Sequence, residues 1–122
     1  MNAEETELLA HLEARASQGD LEAEYELGWR FALGNGLPEN EIEAIRWLER
    51  AAVHGHRLAQ NNLGARHASG EGVAKDLIQA YRWFHLAAVA GDRKAGKNRD
   101  SIAGEMTPDQ IAAALKSAGD TP

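Results

Sequence analysis

The chain has no cysteine, and this one absence removes disulfides, thiolate metal sites and a cysteine nucleophile together. It suits the cytoplasm, which is the expected compartment. Long apolar runs are missing too: nowhere do 18 apolar residues follow one another, so no bilayer-spanning helix is expected. The opening stretch MNAEETELLAHLEARASQG has neither a basic leader nor the apolar core of a signal peptide, and an unprocessed protein is expected. Lysine and arginine form no cluster, and the net charge is -6 with an isoelectric point near 5.3. That balance argues against nucleic acid and against anionic membrane as partners, because both are held by clustered cations. Strand-type alternation is nowhere sustained.

What is present is enough for one domain. The 122 residues are 43% hydrophobic with a mean hydropathy of -0.48, a composition that can bury a modest core and stay soluble. AIRWLERAAVHG (Ala44 to Gly55) and AYRWFHLAAVAG (Ala80 to Gly91) are two copies of one segment. Gly28 and Gly64, Gly34 and Gly70, Gly36 and Gly72, Trp47 and Trp83 all share the same spacing, 36 residues. The repeats run over 21–56 and 57–92, with a capping helix in 1–20 and a partial repeat plus a C-terminal capping helix in 93–122, all within a single domain 1–122.

Each unit reads as two helices. The first is LEAEYELGWRFAL or RLAQNNLGARHAS, with Leu21, Tyr25, Gly28 and Ala32 at helical spacing in the earlier copy. A Gly-x-Gly turn follows. The second helix opens on Asn40 and Glu43 or on Asp76 and Gln79, a capping-box spacing in which the cap side chain takes a free backbone N–H. Ile42, Ile45, Leu48 and Ala52 then form an apolar face, echoed by Ile78, Tyr81, Phe84 and Ala88. Near the C-terminus, Thr107, Pro108 and Gln110 open a last helix whose Ile111, Ala114 and Leu115 would cover the final pair.

Ala59, Leu63, Gly64, Gly70, Gly72, Val73, Asp76, Ala80, Trp83, Ala87 and Ala88 resemble the pattern of the Sel-one-like repeat (SLR), a relative of the tetratricopeptide repeat. The first unit departs from it at Leu37 and Asn40. The resemblance implies an all-α fold, an α/α solenoid or superhelix of about two repeats that binds other proteins, and the 36-residue period with the lack of strand alternation predicts about seven helices. Independently of it, one helix pair cannot bury its own apolar face, so the same small and large residues must recur wherever the next pair docks. Recurrence marks architecture, and Trp47 and Trp83 are read as core.

Chemistry is sparse by comparison. The five histidines are scattered relative to the repeat, and none belongs to an HExxH-type spacing, so no metal and no cofactor are expected and the histidines read as solvent-facing or cap-forming. GNG and GEG do not continue to Gly-Lys-Ser/Thr and read as turn glycines. Glu22, Glu24 and Glu26 read as a solvated helix face rather than as an acid–base pair. No catalytic residue is assigned, and the chain is expected not to be an enzyme.

Positions that do not repeat are where a particular function can enter. Trp29 aligns with Ala65, Tyr25 with Asn61 and Leu33 with Ser69. In related helical repeats the first helix of each pair lines the concave face, so the resemblance points Tyr25, Trp29, Leu33, Asn61, Asn62, Lys97 and Asn98 into one groove. Aromatic anchors beside amide donors suit a partner peptide, helix or protein surface. The opposing reading is that Trp29 packs as core. The expectation is a non-enzymatic adaptor, scaffold or inhibitor, monomeric or weakly self-associating; the alternative is a self-assembling unit acting through its ends or convex face.

Overall fold

The computed structural model describes residues 1–119, and among them seven α-helices and no strand. They are α1 (Ala3–Ser17), α2 (Leu21–Leu33), α3 (Glu41–Val53), α4 (Arg57–Ser69), α5 (Leu77–Val89), α6 (Arg93–Ala103) and α7 (Pro108–Ser117). The repeat fixes the boundaries, since α4 begins 36 residues after α2, and α5 begins 36 after α3. The expected capping stretch 93–122 holds α6 and α7; its last three residues lie outside those described.

Helix starts follow from cap chemistry. Asn40 and Asp76 adopt the same extended backbone, φ -152° and ψ 101°, and each accepts a hydrogen bond from the backbone N–H three residues on. Thr107 and Gln110 make the full reciprocal box at α7, with Pro108 in the first helical position, where its missing N–H is harmless. Asn2 and Glu5 make a second such box at α1. After α2 the chain turns at Gly34, whose φ of 67° lies in the left-handed region that a side chain disfavours.

The chain divides into two compact units, Met1–Ala59 and a second beginning at Gln60, within the first turn of α4. In the first unit α2 packs against both α1 and α3. Leu12, Ala16, Ala23, Leu27, Phe31, Leu37, Ala44 and Trp47 form its core. Leu37, where the first repeat departs from the family pattern, is wholly buried there. In the second unit α5 packs against α6 and α7, and Ala80, Phe84, Ala87, Ala95 and Ile102 form the core. Ala114 of the last helix is buried, with Ile111 and Leu115 half-buried beside it.

The repeated residues behave as architecture. Trp47 and Trp83 are 9% and 6% exposed, and each carries an arginine over its ring: Arg50 at 4.7 Å and Arg82 at 4.3 Å. Gly28 and Gly64 are points of close approach. A Cβ at Gly28 would stand 2.7 Å from Leu48 Cδ2, and one at Gly64 would stand 2.5 Å from Phe84 Cδ1.

Two expected faces hold only in part: Gly28 on α2 and Ile45, Leu48 and Ala52 on α3 are buried, and the other expected positions are not. The buried stripe of α2 is Ala23, Glu24, Leu27, Gly28 and Phe31, not the line through Leu21, Tyr25 and Ala32. On α3 the buried residues are Ala44, Ile45, Trp47, Leu48, Ala51 and Ala52, while Ile42 is 74% exposed. The cause is the density of alanine and glycine: close-packed helices bury small residues that a hydropathy scale ranks low.

Candidate functional site

In the first unit, α2 carries Tyr25, Trp29 and Leu33 at successive i, i+4 positions, which a helix places in one line. Of the three, only Leu33 is exposed. Tyr25 is half-buried and stacked on His56, with ring centres 4.3 Å apart and planes 19° apart. Burial, and after it the charge of Glu22, pushes the Tyr25 phenol above its ordinary range and keeps it neutral. Trp29 is half-buried, with the Arg30 guanidinium 4.7 Å from its ring centre. Glu26 holds that guanidinium at 2.7 Å, and it also donates to the Asn35 carbonyl at 3.2 Å. Leu33 is 71% exposed. Trp29 is therefore neither fully buried, as Trp47 and Trp83 are, nor a free surface ring.

In the second unit, Asn98 Nδ2 of α6 donates to Asn61 Oδ1 of α4 at 3.2 Å, so these two expected site residues meet. Asn62 instead turns along its own helix and accepts from Arg66 Nε at 2.8 Å. Lys97 is exposed, and among the described residues no ion pair engages it. Beside Asn98 lies a hollow of about 240 Å³ lined by Ala65, Ala68, Phe84, Ser101 and Ile102. A second hollow, of about 410 Å³, shares Ala65 and is lined by Asn62, Arg66, Ser69 and Glu71.

Two histidine–carboxylate pairs were not legible as such. His54 Nδ1 lies 2.9 and 3.0 Å from the two oxygens of Glu24; a carboxylate only accepts, so this nitrogen carries the hydrogen and donates. Glu24 is 1% exposed, which corrects the expectation that Glu22, Glu24 and Glu26 form a solvated face. His56 is buried, and its Nδ1 accepts from the Ala59 N–H at 3.3 Å, leaving Nε2–H to donate to Glu22 at 2.9 Å. It therefore caps α4. The repeat held the signal, because His56 stands 36 residues after Asp20 and 36 before Asp92, and both aspartates cap their helices through the N–H three residues on. At Asp20 the Arg15 side chain, together with the Ala23 N–H, holds the carboxyl below its ordinary range. Among the described residues, no group of three or more histidine, aspartate or glutamate side chains could hold a metal ion. No helix among the described residues is long and apolar enough to cross a membrane.

A helix pair that recurs at one period, cap for cap and glycine for glycine, defines an α/α repeat protein of the solenoid class. The Sel1 repeat model matches residues 21–56 and 57–92, more than half of the chain, and the chain belongs to the Sel1 repeat family. Among solved structures it is similar to a Sel1 repeat protein from Oxalobacter formigenes, with 34% identity and a TM-score of 0.74 over 91% of this chain and 87% of that one. It is similar also to c5321, a protective antigen of uropathogenic Escherichia coli strains with an SLR fold, with 34% identity and a TM-score of 0.75. That match covers 88% of this chain and 24% of the longer antigen. No curated protein matches the chain. Sel1 repeat proteins serve in general as protein-interaction modules.

Proposed function

We propose that the chain is a non-enzymatic adaptor, scaffold or inhibitor in the cytoplasm that binds a partner protein or peptide on the first helices of its repeats. Tyr25, Trp29 and Leu33 would serve in the first unit, with Asn61, Asn62, Lys97 and Asn98 in the second. One observation carries this reading. Of the three tryptophans, the two that repeat are buried, and the one that does not is half-buried, one turn from a leucine left in solvent. Large rings and exposed leucines cost solubility when nothing covers them, and aromatic residues dominate the energetics of protein interfaces. The test is affinity capture of the partner from native lysate, followed by titration against variants. Trp29→Ala is expected to weaken the complex by about 2 kcal/mol or more, and Glu49→Ala on α3 to leave it unchanged. Binding lost at Glu49 and kept at Trp29 and Tyr25 would overturn the assignment.

A second reading, self-assembly through the outer face of the second helices, is favoured by a different feature. Arg46, Glu49, Arg50, Val53 and His54 line a hollow of about 500 Å³ on α3, and Val53 is exposed beside it. Dimerisation at micromolar concentration that persists in high salt, and is lost on Val53→Glu, would support it.

A further inference from the structure

We propose that the hollow beside Ala65 is an anchor pocket for one bulky apolar side chain of an acidic peptide segment. This rests on the reading of the first helices as the binding surface and names the partner chemistry of the second unit.

The pocket arises from the repeat. Ala65 stands 36 residues after Trp29, so α4 has a methyl group where α2 carries an indole. The apolar lining of the pocket is the buried Phe84 and Ile102 together with Ala65 and Ala68. The Phe84 ring is packed against Gly64, with no room for even a Cβ between them. Asn98 and Ser101 are the polar lining residues. Asn98 uses Nδ2 on Asn61, which leaves its Oδ1 as an acceptor, and the Ser101 hydroxyl has no hydrogen bond among the described residues. An acceptor and a hydroxyl beside an apolar lining can take the N–H and C=O that flank an anchoring side chain.

Charge selects the segment around that anchor. On α6 the stretch 93–99 holds Arg93, Lys94, Lys97 and Arg99, a local exception to the expectation that cations form no cluster; Lys94 and Lys97 lie one helical turn before Asn98 and Ser101, and neither is in an ion pair among the described residues. The nearest acid on the helix, Asp100, is engaged by Arg99 at 3.0 Å. The asymmetry extends to the units: residues 1–59 hold five basic and twelve acidic side chains, and residues 60–122 hold eight and seven. A glutamate-rich segment is repelled by the first unit and accepted beside this hollow. The acidic start of a second copy is a poor candidate, because Leu8 and Leu9 of α1 are packed against that copy's own core.

The probe is a short blocked peptide of glutamates around one leucine, titrated into isotope-labelled protein and followed by amide shifts. Two controls replace the leucine by serine and the glutamates by lysine. Shifts are expected in Ala65–Ala68 and Asn98–Ile102, with affinity about tenfold weaker or worse for both controls. The same loss is expected for Ala65→Trp, which fills the hollow with the residue of the first repeat, and for the Lys94→Glu, Lys97→Glu double variant. Ser101→Glu in the lining is a second block should the tryptophan disturb folding. Equal binding of the leucine and serine peptides, or unchanged binding to Ala65→Trp and Ser101→Glu, would overturn the pocket. So would self-association of the free protein that Ala65→Trp abolishes, which makes a second copy the occupant. Shifts confined to the surroundings of Trp29 would overturn the pocket and leave the first-helix reading standing; no shifts at either place would remove both.

Discussion

At the scale of single residues, the comparison of the two repeats is itself a mutational experiment. Glu24 and His54 of the first repeat correspond to Gln60 and Ala90 of the second, and Gln60 is buried as Glu24 is. The first repeat therefore carries a buried carboxylate with its histidine, and the second a neutral amide at the same place, with alanine where that histidine would stand. His54→Ala alone should cost about 1–3 kcal/mol, because it leaves a buried carboxylate without its donor. Adding Glu24→Gln should recover most of the loss, as read by urea unfolding; no recovery would mean that His54 acts by packing. The glycines divide in the same way. Gly64→Ala pushes a Cβ into Phe84, and overpacking of about 1–3 kcal/mol exceeds the gain of up to about 1 kcal/mol for replacing a helical glycine. At Gly96 the added Cβ would meet Ala88 at an ordinary 3.6 Å, so Gly96→Ala should be neutral or stabilising. These pairings were invisible in hydropathy, since a buried glutamate and a solvated one read alike until the histidine thirty residues on is seen to meet it.

At the scale of elements, most of the fold could be read from the chain. The period placed both helices of each repeat, and Thr107, Pro108 and Gln110 announced α7. The first-helix caps were harder, because the position is aspartate twice and histidine once, and a histidine does not announce a helix start. The structure assigns all three the same work at the N–H three residues on. His56→Ala should then destabilise the protein by about 1–2 kcal/mol by removing the cap. His56→Asp should cost clearly less, since it restores the side chain used at α2 and α6. Equal losses for the two substitutions, measured by chemical unfolding, would shift the weight from the cap to the contacts with Glu22 and Tyr25. Face assignment was the weaker part of the reading: with alanine and glycine at the closest approaches, the buried stripe differs from the most hydrophobic one, and Ile42 ends in solvent while Ala44 is buried.

At the scale of the whole molecule, the proposed function reduces to one rule: positions that recur build the helix pairs, and solvent-facing positions that differ adapt the surface to a partner. The candidate site was legible to the extent that subtraction by 36 residues isolates Tyr25, Trp29, Asn61 and Ala65. The hollow at Ala65 was not, because a cavity is defined by what surrounds a small residue, here Phe84 and Ile102 from two other helices. The rule is tested most directly by the unfolding free energies of Trp47→Ala and Trp29→Ala, measured side by side in urea. Trp47→Ala should lose about 3–5 kcal/mol, as a large ring removed from a packed core does, and Trp29→Ala no more than about half of that, in proportion to its partial exposure. A loss at Trp29 equal to or greater than that at Trp47 would contradict the account, making the unrepeated tryptophan as much a part of the architecture as the repeated one.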